Sequence, residues 1–240
     1  MSRIHKHTNV DAILWDFDGT LANSASKNIA ITRQILKRVA PRLTGKNLPR
    51  CLQNETEYHL ANHGANHWRD LYRDYFGMTD KEIEIAGPLW ETYQMSDDTA
   101  VSLFDGVADT LEHLSGYPMG ICSANATNHI TKVLQAYGIA SVFQSVIGYE
   151  NLRHQEQKPA PDGGLKCVQD IFGHTEGKTI IYVGDHIADV IFARGLDERL
   201  GSSNKVISVI ITHSGAQPQR WRKQPDQVIG QPQDLIDLVG

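Results

Sequence analysis

Short apolar runs that stop abruptly at polar residues recur along this chain. The first run, Val10 to Trp15, is followed at once by two carboxylates, a glycine and a hydroxyl. An apolar run of this length, bounded by polar turn residues, is typical of a strand that a parallel sheet buries on both faces. We therefore predict that this run is a central strand of a parallel sheet.

A long stretch with helical periodicity comes next. It predicts one helix that ends near Val39 and three more at about 49–62, 66–76 and 80–94. Nothing between Ala22 and Asp98 has the pattern of a strand. The block is of a size that suits a small helical bundle.

Strands and helices alternate over the remainder of the chain. The pattern predicts strands at 119–122, 142–147, 179–183 and 205–211, and helices at about 107–115, 127–137, 165–172, 187–194 and 233–239. Such alternation implies right-handed crossovers and a parallel sheet. The predicted fold is therefore α/β, with a Rossmann-like parallel sheet core of residues 1–21 and 99–240. An all-helical domain of residues 22–98 is inserted after the first strand.

Composition and charge exclude several classes of protein. The formal net charge of −5 and the pI near 6.1 argue against a nucleic-acid binder. No stretch approaches the roughly 18 apolar residues of a membrane helix, and Met1 to Asn9 is a polar start that leaves no room for a signal peptide. Cys51, Cys122 and Cys167 are widely spaced, which fits reduced thiols. We expect a cytoplasmic monomer or homodimer without nucleic-acid or membrane partners.

Polar groups stand at the predicted strand ends, or in the loops that follow them, in four separate segments. These groups are Asp16 and Asp18, Ser123, Lys158, and Asp185 and Asp189. Because the carboxyl ends of parallel strands share one edge of a sheet, where ligands gather, we expect these groups to converge. Two acids as close as Asp16 and Asp18 keep both charges only near a cation or a proton. Carboxylate and backbone oxygens suit a hard ion such as Mg²⁺.

Each of these groups also has a local role open to it. The two aspartates after the first strand could bind N–H groups of their own turn, and Ser123 or Asn125 could cap the helix that follows. Lys158 alone would be a solvated surface lysine. Asp185 or Asp189 could cap a helix, since each stands near a helix start where the dipole favours negative charge. The coincidence of four such segments favours one shared site.

Four ordered motifs carry a resemblance to a known family. They are D-F-D-G-T-L from Asp16, I-C-S-A-N from Ile121, K-P-A-P-D-G from Lys158 and G-D-H-I-A-D from Gly184. In this order they resemble the motifs of the haloacid dehalogenase (HAD) superfamily, over residues 10–21 and roughly 101–213. The helical insert resembles the cap of the phosphoglycolate phosphatase and β-phosphoglucomutase branch. The resemblance implies a HAD-like core with a helical cap domain.

The resemblance implies covalent catalysis. Asp16 would attack phosphorus and form an aspartyl-phosphate. Asp18 would protonate the leaving alkoxide and later take a proton from the hydrolytic water. Lys158 would offset the negative charge that accumulates at the phosphate. These three are the predicted catalytic residues.

The resemblance also implies a metal site and a phosphate site. The metal would be Mg²⁺, with Asp185 as a direct ligand and Asp18 facing it through its backbone carbonyl, while Asp189 would act through a metal-bound water or by orienting Lys158. The implied metal residues are Asp16, Asp18, Asp185 and Asp189. The implied phosphate- and substrate-binding residues are Gly19, Thr20, Ser123, Ala124, Asn125 and Lys158.

Two segments depart from the pattern of the phosphoglycolate phosphatases. Ala124 follows Ser123 where many of them have Asn, and this Ser-Ala pair resembles the phosphoglucomutase-like branch. The segment from Thr212 to Gly215 stands where a Trp-Gly pair is common. We expect His213 in this segment to be an ordinary loop histidine, with a place at the edge of the site as the alternative.

The predicted function is a Mg²⁺-dependent phosphatase that hydrolyses a small phosphorylated metabolite, phosphoglycolate-like or a sugar phosphate. The alternative enzyme is a phosphomutase, which would pass the phosphoryl group to a second substrate instead of water. Alternatives of another class are a phospho-accepting signalling domain and a non-catalytic protein that binds phosphometabolites. The signalling domain would lack the helical insert, and the binding protein would release no phosphate.

Overall fold

A computed structural model of the chain describes residues 9–239. Apart from Asn9, the polar start predicted at the N-terminus therefore lies outside the described residues. The chain forms two compact units. One contains the residues up to Ala22 and those from Leu103 onward, and the other is Asn23–Ser102.

The described residues form seventeen α-helices and β-strands. They are β1 (Ala12–Trp15), β2 (Ala22–Asn23), α1 (Ala25–Val39), α2 (Glu55–Gly64), α3 (Trp68–Asp70), α4 (Asp80–Ser96), β3 (Ser102–Leu103), α5 (Val107–His113), β4 (Met119–Cys122), α6 (Thr127–Ala136), β5 (Ser145–Ile147), α7 (Asp162–Phe172), β6 (Thr179–Gly184), α8 (Ile187–Leu200), β7 (Lys205–Ile211), β8 (Gln227–Ile229) and α9 (Asp234–Val239). A π-helical stretch, Leu71–Tyr75, continues α3.

The first apolar run lies in the middle of a six-stranded sheet. The strand order is β5-β4-β1-β6-β7-β8, and every neighbouring pair runs parallel. Ile13 lies opposite Met119 of β4 and Ile181 of β6, and all of β1 is buried. The predicted α/β fold with a parallel sheet is confirmed, as is the central position of the first strand.

Two helices pack against this sheet through an apolar core. α7 packs against β4 and β5, and α8 against β6 and β7. Their shared core includes Leu14, Cys167, Tyr182, Phe192 and Leu196. Burial of such side chains is the main favourable contribution to folding, at about 25 cal/mol per Å² of apolar surface. The core thereby fixes the strands whose carboxyl ends carry the polar groups.

The helical unit has a core of its own. α1 packs against α2 and α4, and Ile31, Ile35 and Leu36 of α1 are fully buried in that core. The first residues of α4 are held by a capping box, in which the hydroxyl of Thr79 accepts the Glu82 backbone N–H and the Glu82 carboxylate accepts the Thr79 N–H. Such boxes satisfy two N–H groups that a helix start leaves unpaired.

Several element bounds differ from the prediction. The strand predicted at 142–147 begins at Ser145, because a 3₁₀ turn, Ala140–Val142, takes up its start. α7 begins at Asp162, before the predicted residue 165, and α8 continues to Leu200. β8 was not predicted, since three residues are too few for a period to be visible.

A two-stranded sheet of β2 and β3 is separate from the six-stranded one. Its Ala22–Asn23 strand lies in the stretch that was predicted to contain no strand, so that prediction was wrong by this short element. Among the described helices, none combines the length and the apolar run that a bilayer crossing requires.

Candidate active site

The carboxyl ends of β1 and β6 bring the first and last motifs together. The register of the two strands pairs Trp15 with Val183, and the Asp16 N–H donates to the Val183 carbonyl at 2.8 Å. Asp16 is the first residue after β1, and Asp185 is the first after β6. Both are buried. The expected convergence at one edge of the sheet is thus observed for these two acids.

Lys158 lies at the centre of a buried polar network. Its Nζ donates to Asp16 Oδ1 at 2.8 Å and to Asp189 Oδ1 at 2.5 Å. It also donates to the hydroxyl of Tyr182 at 2.7 Å. Although burial lowers it, the attraction of Asp16 and Asp189 raises the pKa of Lys158 above its usual value. The Lys158 ammonium is therefore a fixed cation beside Asp16, not the solvated surface lysine of the local alternative.

Asp189 both caps a helix and holds Lys158. Its Oδ2 accepts the backbone N–H groups of Asp185, at 3.1 Å, and of His186, at 2.8 Å, at the start of α8. Its Oδ1 accepts from Lys158 and lies 3.2 Å from the Tyr182 hydroxyl. Both of its oxygens are engaged, so its hydrogen bonds orient Lys158 and the turn that carries Asp185.

Three carboxylates form a buried acidic cluster that fits a hard cation. Asp16, Asp185 and Asp189 each have an oxygen within 4.8 Å of the other two. Burial, then the charge of Asp189, raise the pKa of Asp16 to about 7 in spite of Lys158. Burial and the charges of Asp189 and Asp16 raise the pKa of Asp185 well above its usual range. One lysine does not balance three buried acids, and a divalent cation with oxygen ligands would.

Asp18 stands apart from this cluster and is held by the second motif. Its Oδ2 accepts from Asn125 Nδ2 at 2.8 Å. Within the part of the chain that the structure describes, its Oδ1 is buried without a hydrogen-bond partner. A buried carboxylate oxygen without a hydrogen-bond partner is unfavourable. The predicted contact of its backbone carbonyl with a metal stays a prediction.

Gly19 and Thr20 pack against Asp185. Gly19 has a φ of +82°, and a Cβ there would lie 2.1 Å from Asp185 Oδ2. A glycine is thus required both by the left-handed backbone and by the space. The buried hydroxyl of Thr20 donates to Asp185 Oδ1 at 3.4 Å. These two residues lie against the Asp185 carboxylate, and their predicted contacts with phosphate remain predictions.

The rest of the second motif lies beyond the end of β4. The hydroxyl of Ser123, which is buried, accepts the Asn125 backbone N–H at 3.3 Å. Asn125 Oδ1 accepts the Ala126 N–H at 2.7 Å, beside the start of α6. Ala124 is exposed. Asn125, predicted as a substrate residue, is bonded to Asp18 and to the helix start.

Sequence reasoning missed two residues of the site and gave a third only as an alternative. Tyr182 of β6 was counted only as part of an apolar strand, although its hydroxyl contacts Lys158. Ser214 donates to Asp185 Oδ2 at 2.9 Å. His213 is not the ordinary loop histidine that was expected, because its Nε2 lies 3.0 Å from the Gly19 carbonyl. Only the unusual Thr212–Gly215 segment gave a signal for the last two.

Known proteins match most of this chain. The sequence profile of the haloacid dehalogenase-like hydrolases matches residues 13–199. The chain belongs to this family. A phosphoglycolate phosphatase of Haemophilus influenzae is 27% identical over 199 residues, which are 78% of this chain and 82% of that protein. The pyrophosphatase PpaX of Anoxybacillus flavithermus is 24% identical over 239 residues, with 97% and 98% covered.

Solved structures of this family have the same fold. A haloacid dehalogenase-like hydrolase from Streptococcus pneumoniae superposes with a TM-score of 0.71 at 20% identity, over 95% of this chain and 97% of that one. The predicted family resemblance is therefore confirmed. The chain is a phosphatase-type HAD hydrolase, as predicted, and its buried acidic cluster is of the kind that holds a divalent metal.

Proposed function

We propose that this HAD hydrolase is a Mg²⁺-dependent phosphatase that acts on a small phosphorylated metabolite through an aspartyl-phosphate on Asp16. The observation that carries the proposal is the position of Asp16. It is buried in the acidic cluster, with its Oδ1 2.8 Å from the ammonium of Lys158. A carboxylate held by a fixed cation is suited to attack a phosphate, since the cation offsets the charge that accumulates.

The proposed reaction has two balanced halves. An oxygen of Asp16 bonds to phosphorus as the ester P–O bond breaks, and Asp18 gives its proton to the leaving oxygen. Asp18 then takes a proton from water, whose oxygen bonds to phosphorus as the bond to Asp16 breaks and inorganic phosphate leaves. The Oδ1 of Asp18 has no hydrogen-bond partner among the described residues, which supports its role as acid and base, and Asn125 orients the same carboxylate through its Oδ2.

Mg²⁺ would be held by Asp16 and Asp185, with the Asp18 carbonyl as the further predicted contact. When bound, it would supply positive charge that offsets the charge of the phosphoryl oxygens. Asp189 would act chiefly by orienting Lys158, because one of its oxygens accepts from the Lys158 ammonium and the other from two backbone N–H groups. We propose Ser123, with the N–H groups after Asp16, as the phosphate-binding groups.

Phosphoglycolate, pyrophosphate and sugar phosphates are the first substrates to test. The relatives named phosphoglycolate phosphatase and pyrophosphatase support the first two. We also propose that Asn23–Ser102 is the helical cap domain expected from the sequence, supported by its separate core. The three cysteines are buried free thiols, which suits the proposed cytoplasmic location. A monomer or homodimer remains the proposed assembly.

The deciding experiment measures phosphate release from a panel of phosphate esters and pyrophosphate, with Mg²⁺ and with EDTA, for the wild type and Asp16→Asn. The variant keeps the shape of the side chain but removes the nucleophile, so we expect kcat to fall by at least about a thousandfold. Asp11→Asn is the matched control. Asp11 lies just before the same strand and is 3.7 Å from Lys178, far from the reacting groups, so activity should persist.

The outcome separates the alternatives. Mg²⁺-dependent release that Asp16→Asn abolishes would support the phosphatase. A wild type that releases no phosphate, but is labelled by a reactive phosphodonor, would instead support the mutase or the signalling domain. Binding of phosphate esters with neither release nor labelling would support a non-catalytic binding protein.

A further inference from the structure

A closed turn follows β7 at the edge of the acidic cluster. Gly215 N–H donates to the Thr212 carbonyl at 2.9 Å, and Gly215 has a φ of +94°. Thr212 is anchored to β8, because its backbone N–H and its hydroxyl both donate to the Ile229 carbonyl, at 3.0 and 3.2 Å. The two residues inside this turn, His213 and Ser214, are thus held by the backbone.

Ser214 is bonded to the carboxylate of Asp185. Its hydroxyl donates to Oδ2 at 2.9 Å, while the Thr20 hydroxyl donates to Oδ1 at 3.4 Å. Ser214 is 5% exposed and Asp185 is 3% exposed, so water competes little for these bonds. Each oxygen of Asp185 therefore accepts from a hydroxyl, and the two bonds fix the plane of the carboxylate.

His213 is bonded to the loop of the first motif. Its Nε2 lies 3.0 Å from the Gly19 carbonyl; a carbonyl only accepts, so Nε2 carries the proton in this contact. The ring stacks on Phe104, with centroids 3.9 Å apart and planes 20° apart. The Gly19 backbone lies directly against Asp185 Oδ2, because a side chain at this position would collide with that oxygen. Two adjacent residues of one turn thus hold both sides of the Gly19–Asp185 contact.

We propose that His213 and Ser214 are positioning residues for the metal site. Ser214 would hold the Asp185 carboxylate in the orientation that binds Mg²⁺, and His213 would hold the Gly19 backbone against it. The inference rests on the proposed function, because it takes Asp185 as a Mg²⁺ ligand. Partners that orient metal ligands typically change affinity by about 10- to 100-fold when removed.

The test measures the Mg²⁺ dissociation constant of the substrate-free protein, from the rise of its thermal unfolding midpoint with Mg²⁺ concentration. We expect Ser214→Ala to weaken Mg²⁺ binding by about tenfold or more, and Ser214→Thr, which keeps a hydroxyl, to restore most of it. Ser208→Ala is the matched control. Its buried hydroxyl donates to Asp226 Oδ2 at 2.8 Å, the same kind of bond outside the acidic cluster, so Mg²⁺ affinity should not change.

A second pair of variants tests His213 independently. His213→Phe keeps a ring to stack on Phe104 but loses the N–H donor, whereas His213→Gln keeps a donor. We expect His213→Phe to weaken Mg²⁺ binding by about tenfold and His213→Gln to stay within about threefold of the wild type. This pair also serves if Ser214→Ala does not fold.

The behaviour of the wild type distinguishes failure of this inference from failure of the proposed function. A wild type that binds Mg²⁺, with Ser214→Ala and His213→Phe binding it equally well, would overturn the positioning role and leave the proposed function standing. A wild type that neither binds Mg²⁺ nor needs it for phosphate release would overturn the proposed function, and this inference with it.

Discussion

At the scale of single residues, the cation of the site is held by a tyrosine as well as by two acids. The Tyr182 hydroxyl accepts from Lys158 at 2.7 Å and lies 3.1 Å from the Cys122 carbonyl. Lys158 Nζ also lies 5.3 Å from the centre of the tyrosine ring, within the range of a cation–π contact. Burial, then the charges of Asp189 and Asp16, raise the pKa of Tyr182 well above its usual value. Tyr182 is therefore neutral and fixes the direction of the Lys158 ammonium.

Tyr182→Phe isolates the contribution of this hydroxyl. The ring and its contact with Lys158 would remain, but Lys158 would lose one of the three hydrogen-bond acceptors that it has within residues 9–239. A buried hydrogen bond to a charged group contributes about 1.5–3 kcal/mol, and we expect kcat to fall by about tenfold with little change in the Mg²⁺ requirement. Steady-state kinetics at saturating Mg²⁺ measure this. An unchanged kcat would show that the two carboxylates alone position Lys158.

The same residue shows what the sequence could and could not predict at the site. Asp16, Lys158, Asp185 and Asp189 were predicted to converge because each follows a strand or lies in a loop at one sheet edge, and the structure brings them together. Tyr182 is inside an apolar strand, where the sequence pattern predicts a core residue and does not distinguish it from a residue of the site. Which buried polar groups touch depends on long-range packing that spacing along the chain does not contain.

At the scale of elements, long apolar runs were predicted well and short or mixed elements were not. β7 matches its prediction because six of its seven residues are buried and apolar or small. The start of α7 was missed because glycine disfavours helix. Yet Gly163 and Gly164 are needed there, since a Cβ would lie 2.4 Å from Cys122 Sγ at the first and 2.8 Å from Leu196 at the second. At these two positions the need for close packing outweighed the low helix propensity of glycine.

Within the helical unit, the end of α4 is fastened to α1 by one carboxylate. Asp97 Oδ1 accepts the Thr99 N–H at 3.0 Å, and Oδ2 accepts from Gln34 at 2.7 Å. The buried ammonium of Lys27 donates to the Asp97 carbonyl and lies 3.7 Å from Oδ1. Although burial raises it, the bonds from Thr99 and the charge of Lys27 lower the pKa of Asp97 overall. The folded unit thus favours the charged form of Asp97.

We expect Asp97→Asn to destabilise the protein by about 2 kcal/mol at pH 7, because hydrogen bonds to a charged group are lost. A carboxyl whose pKa is lowered on folding stabilises the fold above its unfolded pKa and loses that contribution as the pH falls through the folded value. The difference between wild type and variant should therefore shrink from pH 7 towards pH 3. Urea unfolding across this range measures it.

Asp98→Asn is the control for this change, since it alters the adjacent, exposed acid. Exposed substitutions usually stay within about 0.5 kcal/mol. A constant difference between Asp97→Asn and the wild type at all pH values would contradict the proposed charge-dependent fastening.

At the scale of the whole molecule, the acidic cluster sets function against stability. Three buried carboxylates lie close to one lysine. Burial, and then the charges of neighbouring carboxylates, raise the pKa values of Asp16 and Asp185. Without a cation, the folded protein must either keep like charges together or take up protons, and both disfavour folding. Sites of this kind commonly lower stability in exchange for activity. The two strands that lead into the cluster are buried along nearly their whole length: every residue of β1, and every residue of β6 after the first.

The Asp185→Asn variant should be more stable than the wild type in EDTA and less stable than the wild type in Mg²⁺. Asn has the shape of the carboxyl group without its charge, so in EDTA we expect the variant to unfold about 3 °C above the wild type, for about 1 kcal/mol of relieved repulsion. In saturating Mg²⁺ the wild type should gain stability by binding, while the variant should gain little and unfold first. Scanning calorimetry in the two buffers measures the unfolding midpoints of both proteins.

Asp226→Asn is the control, because Asp226 accepts from Arg194 at 2.7 Å and from Ser208. Loss of these bonds should lower the unfolding midpoint by the same amount in both buffers. If Asp185→Asn were less stable than the wild type in EDTA, the bonds from Ser214 and Thr20 would outweigh the repulsion, and the cluster would be a stabilising feature of the metal-free fold.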